Sequence, residues 1–301
     1  VSQGPDDWTP RQYTVRHRTT YTYEGAVEAC FERGFLAPRA TPSQRVLANE
    51  VHVSPEPQLL TEHVDHFGNP SFYVEIQTPH RELVVEKVSH LEVHWPQPDL
   101  DALDAWTVEA AAADLLAHAD PVDRVGHLLP SPLVQPAPEV LDYCRSVIAP
   151  GMPLGQAIVA LARGIHRDFA YKSGVTTVRT TLPELLELRQ GVCQDFAHLA
   201  IGCLRSLGLP ARYVSGYLET VPPPGQAKLA GADASHAWAS VMVPGGGWID
   251  LDPTNDHLAD SRYVVTAWGR DFRDVSPLKG IVMAEAAGAS TLAVAVDVTR
   301  V

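Results

Sequence analysis

The sequence is short of positive charge, of cysteine and of long apolar runs, and each shortage closes off a class of function. Its 301 residues hold 23 Lys and Arg against 36 Asp and Glu, a formal charge of −13 with histidine neutral. A surface of that sign repels phosphate backbones, and no block of basic residues interrupts it, so nucleic acid is not an expected partner. There are only four cysteines, Cys30, Cys144, Cys193 and Cys203, and no C-x-x-C pair among them. A zinc ribbon is therefore unsupported. Four thiols in a chain this long fit a reducing compartment better than a disulfide framework, which makes a cytoplasmic location the expectation. No run of about 18 apolar residues occurs, so no transmembrane helix and no membrane partner are expected. The first residues also lack the basic-then-apolar texture of a signal peptide. Histidines 52, 63, 66, 90 and 94 fall in strand and turn patterns without H-x-x-x-H spacing. They read as scattered surface residues, and neither a metal nor another cofactor is expected.

What is present is an ordinary globular balance, 45% apolar and 20% charged, enough for a large core without staples. Residues 1–10 read as a loose polar leader. From Tyr13 to Trp95 the texture is strand-like: 13–23, 45–55, 72–79 and 82–95 are rich in β-branched and aromatic residues. Between two of these strands, 66–70 (HFGNP) reads as a turn in which Gly68 and Asn69 tolerate positive φ. Residues 96–103 read as a linker, and helical patterns follow at 104–119, 137–148 and 153–169. The stretch 182–208 splits at Gly191 into a short helix, a turn and a second helix from about Cys193. Phe196, Ala200, Cys203 and Leu207 form the buried stripe of that second helix, which Gly208 and Pro210 end. Strands are then expected at 211–219, 235–243 and 246–252, with the last two joined by a Gly-rich turn, and another at 290–300. The Gly- and Pro-rich segment 221–234 reads as a mobile loop beside the site. The expected fold class is α+β, with residues 1–98 forming an antiparallel β domain and 99–301 a core that includes the C-terminal strand.

Three residues on neighbouring elements carry the chemistry. Cys193 opens a helix, where free N–H groups and the helix dipole favour a thiolate and can hold an oxyanion. His236 opens a strand 43 residues later, and Asp252 closes the next strand 16 residues after that. An imidazole that reaches the sulfur can take its proton, and a carboxylate on the other ring nitrogen fixes the tautomer. Asp250 competes with Asp252, because strand parity puts both on one face. Around these, Gln194, Tyr171, Trp238 and Arg270 are candidate substrate-binding residues. The ordinary alternatives for them are a helix-start residue, core aromatics and a salt-bridged turn. Cys203 lies on the apolar stripe and reads as core. His198 is about 140° round the helix from Cys193 and reads as packing or capping.

The strings GVCQDFAHLAIGCLRSLGLPARYVSGY (191–217), SHAWASVMVPGGGWIDLDPTN (235–255) and GRDFRDVSPLKG (269–280) resemble the core of bacterial transglutaminase-like proteins. The 13–95 region resembles the β domain that precedes that core in one bacterial subgroup. This resemblance implies a papain/transglutaminase-like core in which Cys193, His236 and Asp252 hold the triad positions, and it favours Asp252 over Asp250. It also implies acyl transfer from an amide through a thiol, on a peptide or protein substrate. Hydrolysis is the expected outcome, because no D-x-D-x-D-G calcium loop is evident. Isopeptide formation by a protein-glutamine transglutaminase, a non-enzymatic protein-binding scaffold and a metal-dependent hydrolase remain as alternatives.

Overall fold

The computed structural model describes residues 7–220, 235–284 and 288–301. The proposed loop at 221–234, and most of the 1–10 leader, lie outside the described residues.

The first strand, β1 (Arg11–Gly34), is the spine of one antiparallel sheet. Along its first half every second side chain is buried (Tyr13, Val15, His17 and Thr19), as a strand with one covered face requires. β2 (Gln44–Ser54), β3 (Leu59–Val64), β4 (Pro70–Ile76) and β5 (His80–Val93) complete the N-terminal part in the order β2-β5-β1-β4-β3. The turn 65–69 forms as expected, with Gly68 at φ 76. Asn69, however, is not among the positive-φ residues. The Asp65 carboxylate accepts from the N–H groups of Phe67 and Asn69 and so closes the turn without strain at Asn69. The freed Asn69 amide points inward, and the histidines at 52, 63, 66, 90 and 94 are all exposed.

The helical layer follows: α1 (Leu100–Leu103), α2 (Val108–His118), α3 (Pro121–Leu128), α4 (Pro138–Val147) and α5 (Leu154–Asp168). Helix α3 escapes a periodicity reading, but its start is written locally. Asp120 accepts from the N–H groups of Val122 and Asp123, and Pro121 takes the first helical position. Next come β6 (Ala170–Tyr171), α6 (Leu182–Leu188), β7 (Gln190–Gly191) and α7 (Cys193–Ser206). A reciprocal Thr181–Glu184 capping box opens α6. Every residue of α7 from Asp195 to Leu204 is buried, so the expected stripe is part of a helix enclosed on all sides. Gly208, at φ 82, ends it as expected.

The second sheet is antiparallel, in the order β11-β10-β9-β8-β12: β8 (Ala211–Leu218), β9 (Ser235–Val243), β10 (Gly247–Asp252), β11 (His257–Leu258) and β12 (Tyr263–Gly269). α7 lies on one face of it, packed most closely against β9. The largest apolar cluster fills that seam, with Phe196, Ala200 and Cys203 against Ala237, Ala239 and Val241. Tyr217 and Val264 of this sheet pack against Tyr13, Val15, Leu91 and Val93 of the first, and β12 is stitched to that sheet by side-chain amides. Gln44 Nε2 donates to the Val265 carbonyl at 2.6 Å and Gln44 Oε1 accepts from the Val265 N–H at 2.9 Å. Asn69 does the same for Trp268 at 2.8 and 2.9 Å.

The chain then returns to its beginning. β13 (Leu278–Ala284) and β14 (Ser290–Arg300) pair antiparallel with the second and first halves of β1. The expectation placed the C-terminal strand with the core, whereas its partner is the first sheet. The open edge of β1, complementary over Tyr13–Tyr23, captures it. Among the described residues no helix is long and apolar enough to cross a membrane.

Candidate active site

Cys193 is the first residue of α7, half-buried, with its backbone held on a short approach. Asp195, two residues on, reaches back to the Val192 N–H at 2.9 Å and accepts from Thr176 Oγ1 at 2.7 Å. Burial pushes the Asp195 carboxyl up despite these two donors. Gly191 is required by this clamp: a Cβ there would stand 2.8 Å from Asp195 Oδ2 and 3.0 Å from Asp195 Cβ. The glycine therefore serves the Asp195 contact, beyond keeping the approach open. Parallel pairing of β6 with β7 holds the other side, with the Lys172 N–H on the Gly191 carbonyl at 2.8 Å. Asp195 also sits in the first turn, where a carboxylate complements the helix dipole.

His236 lies near the start of β9. The β9–β10 register sets Asp250 opposite Ser240, which leaves Asp252 diagonal to His236 on the same face. His236 Nε2 donates to Asp252 Oδ2 at 2.6 Å. Its remaining nitrogen, Nδ1, is thus the one available for the hydrogen bond with Cys193. The two carboxylates that parity could not separate have different partners. Asp250 accepts from Trp238 Nε1 at 2.8 Å and Ser240 Oγ at 2.5 Å, and does not touch the histidine.

Asp252 is fully buried and receives three further donors: Thr254 N–H at 2.9 Å, Asn255 Nδ2 at 2.7 Å and Tyr263 Oη at 2.8 Å. Burial raises its pKa, but the His236 charge and these hydrogen bonds outweigh burial and hold it at about 2. For His236, burial works against the charged form. The Asp252 charge and hydrogen bond, with smaller help from Cys193, overcome it and raise the ring to about 10. The imidazolium is therefore the resting form at neutral pH, wedged between a carboxylate and the Cys193 sulfur.

The outer candidates divide. Gln194 is half-buried at the second position of α7, and Tyr171 stands 59% exposed close enough to feel the charge of Cys193. Trp238 is not available to a substrate. It is fully buried, edge-on to Tyr263 with ring centroids 5.3 Å apart, and it supports the His236 ring from below. Arg270 is also displaced from the site. Its carbonyl accepts from Arg205 near the far end of α7, about 18 Å along the helix from Cys193, and its guanidinium pairs with Asp274 at 2.8 Å. It is the salt-bridged turn. His198 accepts from the Phe272 N–H at 3.1 Å and packs on Tyr213. Cys203 and Cys144 are buried side by side, and burial pushes the Cys203 thiol well up. Two supports were not singled out from sequence: Asn255, although it lies in the quoted DPTN string, and Tyr263, on a strand that carried no motif.

Residues 13–92 match the family model of the bacterial transglutaminase-like N-terminal region, and residues 142–253 match that of the transglutaminase-like superfamily. The chain is 42% identical over 299 residues to an uncharacterised protein of Mycobacterium tuberculosis, covering 95% of this chain and 92% of that one. Over 104 residues, 33% of this chain and 16% of the other, it is 36% identical to a protein-glutamine gamma-glutamyltransferase of Pseudomonas aeruginosa. A solved structure from Cytophaga hutchinsonii, described as a candidate cysteine protease, shares the fold. Its TM-score is 0.79 over 97% of this chain and 91% of that one, at 20% identity.

Proposed function

We propose, on the premise that the chain belongs to the transglutaminase-like superfamily, that it opens amide bonds of a peptide or protein through Cys193 and passes the acyl group to water. The observation that carries this reading is His236 held at 2.6 Å by a buried carboxylate while its other nitrogen meets the thiol. The Cys193 sulfur, its proton already carried by His236, attacks the carbonyl carbon as thiolate, and the carbonyl electron pair moves to the oxygen. The Cys193 and Gln194 N–H groups, in the first turn of α7 and without intrahelical acceptors, lie where an oxyanion needs donors. Collapse of the tetrahedral species breaks the C–N bond, and the His236 imidazolium gives its proton to the departing amine. Water then adds to the thioester and gives one proton to His236, and collapse expels the Cys193 sulfur as thiolate, which releases the acid and restores the protonated ring. Asp252 stays ionised throughout and keeps the ring in place.

Water is the favoured acceptor because the aromatic wall described at the thiol, Tyr171, is 59% exposed, which leaves an acyl-thioester open to solvent. A second reading, transfer to an amine, draws support from the local similarity to the Pseudomonas gamma-glutamyltransferase. Casein incubated with a fluorescent primary amine separates them. New peptide termini or released ammonia without amine incorporation support hydrolysis, whereas fluorescent casein supports transfer. Activity of either kind surviving Cys193→Ala refutes the shared thiol step.

A further inference from the structure

A cavity of about 600 Å³ lies away from the thiol, where loops of the first sheet meet the second sheet and α3. Its walls include Phe67, Trp95, His127, Arg212, Trp248 and Trp268. Arg212 pairs with Ser240 across β8 and β9, four residues along the strand from His236, or about 13 Å. A cavity of this size, aromatic with a few polar atoms turned into it, is typical of small-molecule sites.

Arg212 is 8% exposed, and its guanidinium lies between two indoles, 4.0 Å from the Trp248 centroid and 3.7 Å from that of Trp268. Arg39 covers Trp268 at 3.2 Å, which, with Arg212 at 3.7 Å, places the two cations on opposite faces of that ring. The faces of the Arg212 guanidinium are thus occupied, and its edges are not. It makes no side-chain hydrogen bond and no ion pair within 4 Å with any described residue, and its Nε is buried without a partner. Asp250 acts on it at longer range, and its carboxylate oxygens accept from Trp238 and Ser240. His127, 5% exposed, adds a second orphan. Its Nδ1 donates to the Asp123 carbonyl at 2.8 Å, and its Nε2, the acceptor of that neutral ring, is buried with no partner and suits a donor on a ligand's body, not its carboxylate. Leaving such groups unpaired is costly, and the donor fork of a guanidinium matches a planar carboxylate.

We propose that this cavity is a binding site for a small carboxylate with a flat apolar body, the carboxylate seated on the Arg212 edge and the body among Phe67, Trp95 and Trp248. The Asp123 and Asp250 carboxyls, also on the wall, restrict the site to a single negative charge. This site is separate from the thiol, and its test does not depend on amide chemistry.

The probe is sodium 3-phenylpropionate at constant ionic strength, followed by tryptophan fluorescence and by the melting temperature. Wild type is expected to show saturable quenching with a Kd of about 1 mM or tighter and a rise in Tm at saturation. The neutral 3-phenylpropanamide is expected to bind at least about tenfold more weakly. Gly126 lines the cavity, and a Cβ there meets nothing within 4 Å, so a phenyl ring introduced by Gly126→Phe has room to enter the space. That variant is expected to lose binding, as is Arg212→Gln if it folds. The proposal is overturned by no saturable response in wild type, by equal affinity for the amide, or by unchanged affinity in Gly126→Phe.

Discussion

Replacing Asp252 with Asn tests the whole site, because one buried carboxylate sets the charge of the ring above it. In the native protein His236 is raised from 6.5 to about 10 and Asp252 lowered from 3.8 to about 2. These are two views of one pair and are not summed. At about 1.4 kcal/mol per pH unit they bracket roughly 2–5 kcal/mol, the range expected when a buried ion pair loses one partner. The raised histidine contributes stability that is complete below pH 6.5 and fades as pH climbs through about 10. The lowered aspartate contributes stability that is complete above pH 3.8 and fades as pH falls through about 2. The pair therefore stabilises most between about pH 4 and 6.5. In Asp252→Asn the burial that opposes charge on His236 is no longer outweighed, and the ring becomes neutral at pH 7. Urea unfolding is expected to show the largest deficit near pH 6, narrowing toward pH 10. Side-chain nitrogen NMR of His236 is expected to place its titration below 6.5, and alkylation of Cys193 by iodoacetamide at pH 7 is expected to slow at least about tenfold. A variant whose His236 still titrates near pH 10, or whose stability deficit is independent of pH, refutes the reasoning.

In native protein iodoacetamide is expected to modify Cys193 while Cys30, Cys144 and Cys203, all buried, stay unmodified until denaturant is added; peptide mapping reads the order. Tyr263→Phe removes one donor from Asp252 and nothing from the thiol, so it should cost about 1–3 kcal/mol in urea unfolding and leave Cys193 reactive. Gly191→Ala drives a methyl to within 2.8 Å of Asp195 Oδ2, so the start of α7 should shift. Cys193 alkylation is the readout, and a native rate in a folded Gly191→Ala protein would contradict the clamp.

The catalytic half was legible where short-range rules govern it. β9 spans the expected 235–243, and α7 opens on Cys193 because Gly191, Asp195 and Gly208 leave marks in sequence. Asp252 could be preferred over Asp250 by its place before Pro253 and by likeness, not by periodicity, since both share a face; the register decides between their contacts. Less legible were features set by distant packing. β12 is covered on both faces, so its run YVVTAWG shows no alternation, and Tyr263 was missed with it. In sequence Trp238 is a cleft candidate with core as its ordinary alternative, and Val214, Tyr263 and Val265 on neighbouring strands bury it. Nothing local announces that the C-terminal strand belongs beside the first one. The Arg212 stack joins residues from 39 to 268, and no window of sequence contains it.

The double pairing of β1 imposes an order on synthesis. Among the described residues its free edge is paired by 278–284 and 290–300, so β1 waits for strands made much later in the chain. At about 5–20 residues per second that delay is on the order of tens of seconds. The thiol helix and its sheet lie between the two and can be complete before the spine is closed. During the wait the nascent chain presents an unpaired strand edge over 13–23, the kind of template that recruits another chain. A newly made molecule therefore depends on its own tail arriving before a neighbour does, and translation rate becomes a determinant of yield.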